Sequence, residues 1–188
     1  MLRKIILCLV SILLLILSFP KTDFWILAWI ALIPFFIALD HERPIISFRI
    51  GYAAGFLFFL GMFFWLLNVT YLGMFLIVAY FALYFAVFAY VYALWHKENF
   101  LNRLFFLPSV WVALEYMRGQ LLSGLNWASL SHSQYKNLIF LQSADITGAA
   151  GLSFLIVMVN LFLKEIFFGP KEKINFNHPE RNLSVGIV

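Results

Sequence analysis

Long apolar runs alternate with short polar breaks along most of this chain. The runs are Ile5–Phe19, Phe24–Leu39, Ile50–Leu67, Met74–Trp95, Leu104–Met117 and Gly148–Leu163. The breaks carry turn and loop residues: Pro20-Lys-Thr-Asp23, Asp40-His-Glu-Arg-Pro44, Asn68 to Gly73, and His96 to Asn102. A helix needs about 20 apolar residues to cross a bilayer, so the pattern predicts about six transmembrane helices, the first and fifth of them short. Pro108 falls in the first turns of the fifth run, where proline is tolerated. One polar stretch stands apart. Asn126 to Tyr135, NWASLSHSQY, is rich in hydroxyls and amides and separates two apolar runs. Polar irregular backbone at a membrane surface must be hydrated, or buried against protein or ligand.

Composition agrees with the pattern. The chain is 64% hydrophobic and 12% charged, against roughly 25% charged in soluble domains. The expected fold class is therefore all-α: a polytopic membrane helix bundle over residues 1–168. Residues 169–188 read as a polar linker followed by a strand-like run, Leu183–Val188, which is expected to be the first strand of a further domain. Arg3 and Lys4 before the first run also fit a signal peptide, but no small-residue cleavage site follows, which favours an uncleaved first span.

Charge sets the orientation. With the N-terminus in the cytoplasm, Arg3, Lys4, Arg43, Arg49, Lys97, Arg103, Lys164, Lys171, Lys173 and Arg181 lie inside, and Lys21, Arg118 and Lys136 outside. Positive residues favour the cytoplasmic side. The net charge of +4 is thus a topological signal, and no nucleic-acid partner is expected. The single cysteine, Cys8, excludes an internal disulfide and a multi-cysteine metal site. No phosphate loop, metal box or dinucleotide fingerprint occurs, so no metal or cofactor is expected.

Two packing motifs stand out. Gly51-Tyr-Ala-Ala-Gly55 is a GxxxG that can pack within the chain or between copies. Ala79, Ala82, Ala86, Ala89 and Ala93 form a small-residue stripe on one face of the fourth span, suited to helix packing or to a groove for an acyl chain. The fifth span carries Glu115 and Arg118, three apart on one face and able to pair. Counting from Arg103 puts Glu115 roughly 18 Å along the helix axis, past the middle of a core about 30 Å thick. An ionisable residue there is either a structural ion pair or a functional site. In the polar stretch, His132 and Ser133 lack a convincing acid for a hydrolase triad. Contact with lipid headgroup or substrate at the outer face is the alternative to a hydrated loop.

The segment Trp111–Gln134, WVALEYMRGQLLSGLNWASLSHSQ, resembles the apolipoprotein N-acyltransferase family through Trp111, Glu115, Arg118, Gly119, Gly124, Trp127, Ser133 and Gln134. DITGAAGLSFLIVMVN (Asp145–Asn160) and LSFPKTDFWILAWIALIPF near the start support it. Two steps depart from the pattern: Leu125-Asn126 stands for Phe-Pro, and Ser131-His132 for Gly-Tyr. The resemblance implies a bacterial inner-membrane protein whose expected partners are membrane phospholipid, the lipoprotein N-terminus and, if the gene is split, a separately encoded catalytic domain. In the family a nitrilase-like periplasmic domain with a Cys-Glu-Lys triad follows the spans, preceded by a further span. Its cysteine takes an acyl chain from phospholipid as a thioester and passes it to the N-terminal cysteine of a lipoprotein. The expectation is a truncated or split membrane module, not catalytic alone, since Cys8 lies in the first span near its cytoplasmic end. Glu115, Arg118, Gly124, Asn126, Trp127, Ser133 and Gln134 are the expected lipid or substrate contacts. A non-enzymatic lipid-binding scaffold or small transporter is the alternative.

Overall fold

The structure, a computed structural model, describes residues 2–121 and 124–169. The expected linker and strand stub, with Lys171, Lys173 and Arg181, lie outside the described residues. Within them the fold is an all-helical membrane bundle with no strand. Six segments run back and forth between two ends. One end holds the start of α1 (Leu2–Ser18) and the other holds the loop around Trp127. The second segment is a 3-10 turn, Trp25–Leu27, followed by two short helices, α2 (Ala28–Ala31) and α3 (Ile33–Leu39). Then come α4 (Pro44–Phe63), α5 (Tyr71–Leu94), α6 (Phe100–Gln120) and α7 (Leu138–Phe168). Pro44–Asn68, Tyr71–Leu94 and Leu138–Phe168 are each long and apolar enough to cross a membrane.

The last span differs from its expected bounds. Helix α7 begins ten residues before Gly148, in what reads as loop. At about 1.5 Å per residue, residues 149–168 already reach about 30 Å, a full hydrocarbon core. Gly148, at φ +68 and ψ 177, breaks the helix at that point. Glycine fits there because an L side chain at positive φ is strained.

The second span is broken, and the break has a visible repair. Pro34 cannot donate a backbone hydrogen bond, and the helix restarts at Ile33. At Leu32 the α-helical bond to Ala28 is replaced by the Asn160 amide. Asn160 Oδ1 accepts from Leu32 N–H at 2.8 Å, and Asn160 Nδ2 donates to the Ala28 carbonyl at 2.9 Å. A side chain inserted in this way is a recognised cause of a helix kink. Ser11 on α1 donates to the Ala31 carbonyl from the other side at 2.6 Å.

Helices α4 and α5 share the most extensive helix pair interface. The GxxxG faces the alanine stripe, so both motifs are used in packing within the chain. A Cβ on Gly51 would lie 2.6 Å from both Ala89 Cβ and the Phe85 carbonyl oxygen, and one on Gly55 would lie 2.7 Å from Phe85 Cβ. The close approach of backbones is what small residues permit in lipid. Gly51→Leu is expected to cost about 1–3 kcal/mol or more by forcing the helices apart, read as a lower unfolding midpoint in detergent.

The α1-start end is tied by ionic contacts across four segments. Lys164 on α7, 2% exposed, lies 2.7 Å from Asp40 and 3.2 Å from Glu165. Arg103 on α6 reaches Glu165 at 3.0 Å, and the Tyr92 hydroxyl on α5 donates to Asp40 at 2.9 Å. Lys4 pairs with Glu42. In the sequence, Lys164 and Arg103 read only as orientation signals; the structure makes them buried bridge-builders.

His96, in the turn after α5, lies 3.0 Å from His41, with Asp40, Arg103 and Lys164 also facing it. Burial, then His41, hold its imidazole below the ordinary value. The folded chain therefore takes up this proton less readily than the unfolded chain, which binds it at about pH 6.5. Its contribution to stability is complete above that pH and falls as the pH drops below it. His96→Gln is expected to flatten the loss of stability between pH 6.5 and 5, measured by thermal unfolding of both proteins across that range.

Candidate functional site

The loop end of the bundle gathers most of the expected site residues. It is built on the last two turns of α6 and the returning loop. Glu115 does not pair with Arg118. Its Oε1 accepts from Trp111 Nε1, one turn earlier, at 3.0 Å and from the backbone N–H of Leu130 at 2.7 Å. The carboxylate thus fastens the loop to the helix. Residues three apart on a helix are near enough to pair but are not obliged to, and here the loop amide competes for the acid.

Arg118 is 3% exposed. Its guanidinium lies between the rings of Phe59 and Phe81, 5.2 and 5.1 Å from their centroids. It donates to Ser129 Oγ at 3.2 Å, while its Nε has no hydrogen-bond partner. Among the described residues no carboxylate lies within 4.0 Å of it. Ser129 passes the chain of bonds on, donating toward Asn126 Oδ1 at 2.7 Å. The Arg118 charge is favourably placed in the last turn of α6, at the negative end of the helix dipole; its direct contacts are neutral, and the Glu115 carboxylate acts on it through space.

The polar stretch turns inward. Leu130–Gln134 forms a 3-10 turn in which Leu130, Ser131, Ser133 and Gln134 are buried. Gln134 is fully engaged: Nε2 donates to the Trp25 carbonyl and to Ser133 Oγ, both at 3.0 Å, and Oε1 accepts from Trp29 Nε1 at 3.1 Å. Ser133 donates to the Leu130 carbonyl at 2.7 Å, so its hydroxyl is spent on the backbone and not on His132. Ser131 N–H donates to Ser153 on α7 at 3.0 Å. Of the expected contacts, Ser133 and Gln134 thus face the bundle, while Gly124, Asn126 and Trp127 remain exposed. Gly124 has φ +61, and a Cβ on Gly119 would sit 3.2 Å from Asn126. These two glycines set the path of the loop over the end of α6. Trp127 lies against Trp65 and Phe63, with ring centroids 5.4 and 6.4 Å apart.

Beneath this loop is a narrow cleft, open on one side. Its walls come from Leu15 on α1, Phe58 on α4, Tyr84, Phe85 and Phe88 on α5, and Trp111 and Leu114 on α6, with Ala128 and Leu130 above. Glu115 and Arg118 are its charged lining residues. The arrangement suits a ligand with an apolar body and a polar end, because most of the wall is hydrocarbon and the charge sits at one side. Sequence reasoning missed Phe59, Phe81 and Tyr84. They lie in spans so rich in aromatics that nothing marks three of them as facing a buried cation.

Comparison with known proteins follows the same segment. A family model described as the apolipoprotein N-acyltransferase N-terminal domain matches residues 11–162. The apolipoprotein N-acyltransferase of Geobacter metallireducens is 38% identical over 178 residues, covering 89% of this chain and 34% of that protein. That of Chlorobaculum tepidum is 32% identical over 173 residues, covering 91% of this chain and 31% of that protein. That of Gloeobacter violaceus is 30% identical over 164 residues. The chain spans about a third of the length of these relatives.

Proposed function

This chain belongs to the apolipoprotein N-acyltransferase family, matched through the N-terminal domain, and from that premise we propose that it is the membrane module of such an enzyme. It seats a phospholipid acyl donor in the loop-end cleft, for transfer of an acyl chain to the N-terminal cysteine of a lipoprotein. Phospholipid and the lipoprotein N-terminus are its partners. The loop end faces the periplasm and the α1-start end the cytoplasm of a bacterial inner membrane. In support, Arg3, Lys4, Arg43, Arg49, Lys97 and Arg103 gather toward the α1-start end, while Lys21 and Lys136 lie at the other.

One observation carries this reading. The stretch Trp111–Gln134 bears the family's motif residues, and Trp111, Leu114, Glu115, Arg118, Ala128 and Leu130 of that stretch line the cleft. The module presents lipid and does not form the acyl-enzyme. Cys8, the only cysteine of the 188 residues, lies on α1 toward its start and is not part of the cleft wall. A thiol other than Cys8 carries the acyl group. The transporter alternative has less to stand on. Its hallmark would be a broken helix with free polar groups at mid-membrane, and the break at Leu32 is closed by Asn160.

The test is a chimera in which this chain replaces the matched third of the Geobacter metallireducens enzyme, expressed in a strain depleted of its own. Restored triacylated lipoprotein, seen by mass spectrometry, is the expected result. A chimera that inserts in the membrane and leaves lipoprotein diacylated contradicts the reading. So does triacylation by the chain on its own.

A further inference from the structure

Two histidines meet at the α1-start end, the end opposite the cleft. His41 belongs to the turn between α3 and α4, and His96 to the turn after α5. They are 55 residues apart in the chain, yet His41 Nδ1 lies 3.0 Å from His96 Nε2. Their rings meet nearly edge to face, at 80°. The other nitrogen of His96, Nδ1, is buried without a hydrogen-bond partner and lies 4.0 Å from Asp40 Oδ1. A bare Nδ1 would aim its lone pair at that carboxylate. The proton therefore belongs on Nδ1, and Nε2 is left as a lone-pair donor turned toward His41. His41 is exposed and stands at φ 60, a backbone region uncommon for residues other than glycine. A strained backbone thus holds an accessible imidazole against one whose tautomer is fixed.

We propose that His41 Nδ1 and His96 Nε2 form a two-histidine site for a divalent transition metal, Zn²⁺ or Ni²⁺, which clamps the two turns together. The spacing fits. With metal–nitrogen bonds of about 2.0–2.1 Å, two imidazoles on one ion lie about 2.9 Å apart at a right angle and about 3.4 Å apart at the tetrahedral angle. In the hydrogen bond the two nitrogens face each other, whereas on a metal they converge; the exposed His41 ring makes that turn. His41 moves its proton to Nε2, so both ligands are neutral imidazoles. Asp40, on the far side of His96, is the outer carboxylate that commonly orients a ligating histidine. Nearby, Asp40 and Glu165 balance Lys164 and Arg103, so this network holds no excess positive charge against a cation. Among the described residues no cluster of three or more His, Cys, Asp or Glu side chains could hold a metal, and water completes the coordination. Imidazole ligands favour zinc, nickel and copper over magnesium and calcium. The site stands apart from acyl transfer and does not depend on it.

The test uses the full chain in detergent, stripped with a chelator and carrying no histidine tag. The chain has four histidines, so His132 and His178 serve as controls. Calorimetric titration with Zn²⁺ or Ni²⁺ is expected to show one site with a Kd below about 0.1 mM, and Mg²⁺ at the same concentrations none. Zn²⁺ should also raise the unfolding midpoint, because it binds the folded chain. His41→Gln and His96→Gln should each weaken binding at least about tenfold and abolish the midpoint shift, while His132→Gln and His178→Gln change neither. With ¹⁵N-histidine in the unaltered chain, Zn²⁺ should move the resonances of His41 Nδ1 and His96 Nε2 together and leave those of His132 in place, a readout that needs no variant to fold. Absence of binding by both Zn²⁺ and Ni²⁺ overturns the proposal. So does binding that survives His41→Gln, binding lost in either control variant, or a spectrum in which only one of the two imidazoles responds.

Discussion

Asn160→Leu is expected to lower the stability of the bundle by on the order of 2–4 kcal/mol. The side chain is fully buried and makes three hydrogen bonds: to Leu32 N–H, to the Ala28 carbonyl and to the Ile156 carbonyl at 2.8 Å. The last is within its own helix and easily lost. The other two satisfy a donor and an acceptor that the break at Leu32 has separated. Each buried backbone group left without a partner costs about 1–3 kcal/mol, and lipid supplies no water to replace it. Leucine has the same branched arrangement of side-chain heavy atoms, so no cavity forms; its bulkier methyl groups add some crowding to the loss of the bonds. Asn160→Asp gives the control. It keeps an acceptor for Leu32 N–H but loses the donor to Ala28 and adds a charge, so it is expected to be at least as destabilising as leucine. Unfolding in a denaturing detergent, followed by helical circular dichroism, measures both. Wild-type stability in Asn160→Leu would mean that the helix closes directly between Ala28 and Leu32 and that the kink belongs to Pro34 alone.

Lys164→Met is expected to be costlier, about 3–5 kcal/mol, the range for breaking one side of a buried ion pair. The ammonium sits between Asp40 and Glu165. Removing it leaves Asp40 with the Tyr92 hydroxyl and a distant His96, and Glu165 with Arg103 alone. The penalty comes from the stranded Asp40 carboxylate more than from lost attraction. Lys164→Met combined with Asp40→Asn should therefore recover a good part of the loss, although it removes a second charged residue. If the double variant is as unstable as the sum of the two single ones, the residues are not coupled and the network is a set of independent surface contacts. The same unfolding assay decides between these results.

The outline of this protein was legible in its residues. Spans follow from runs of apolar side chains, and their ends from Asp40-His-Glu-Arg-Pro44 and the other polar breaks. Both are local properties, because the cost of placing a residue in hydrocarbon depends mainly on that residue. Gly51, Gly55 and the alanine stripe were readable for the same reason: the absence of a side chain is a local fact whose use in close packing is general. The family resemblance is likewise carried by side-chain identities at fixed spacing, among them Trp111, Glu115 and Arg118.

What the residues did not disclose was who meets whom. Glu115 and Arg118 share a helical face, yet the carboxylate binds a loop amide fifteen positions away and the guanidinium sits between two rings from α4 and α5. Of NWASLSHSQY, Asn126, Trp127, His132 and Tyr135 stay exposed, while Gln134 reaches back to Trp25 and Trp29, partners that no local pattern points to. Asn160 repairs a helix 128 residues earlier in the chain. The sequence by itself determined the number of helical segments, their order and the charges at their ends, because hydropathy and helix formation are decided within a few turns. The tertiary structure alone decided the partners of the buried polar groups. In a low-dielectric interior each such group takes whichever neighbour packing brings within hydrogen-bond reach, and that neighbour can come from anywhere along the chain.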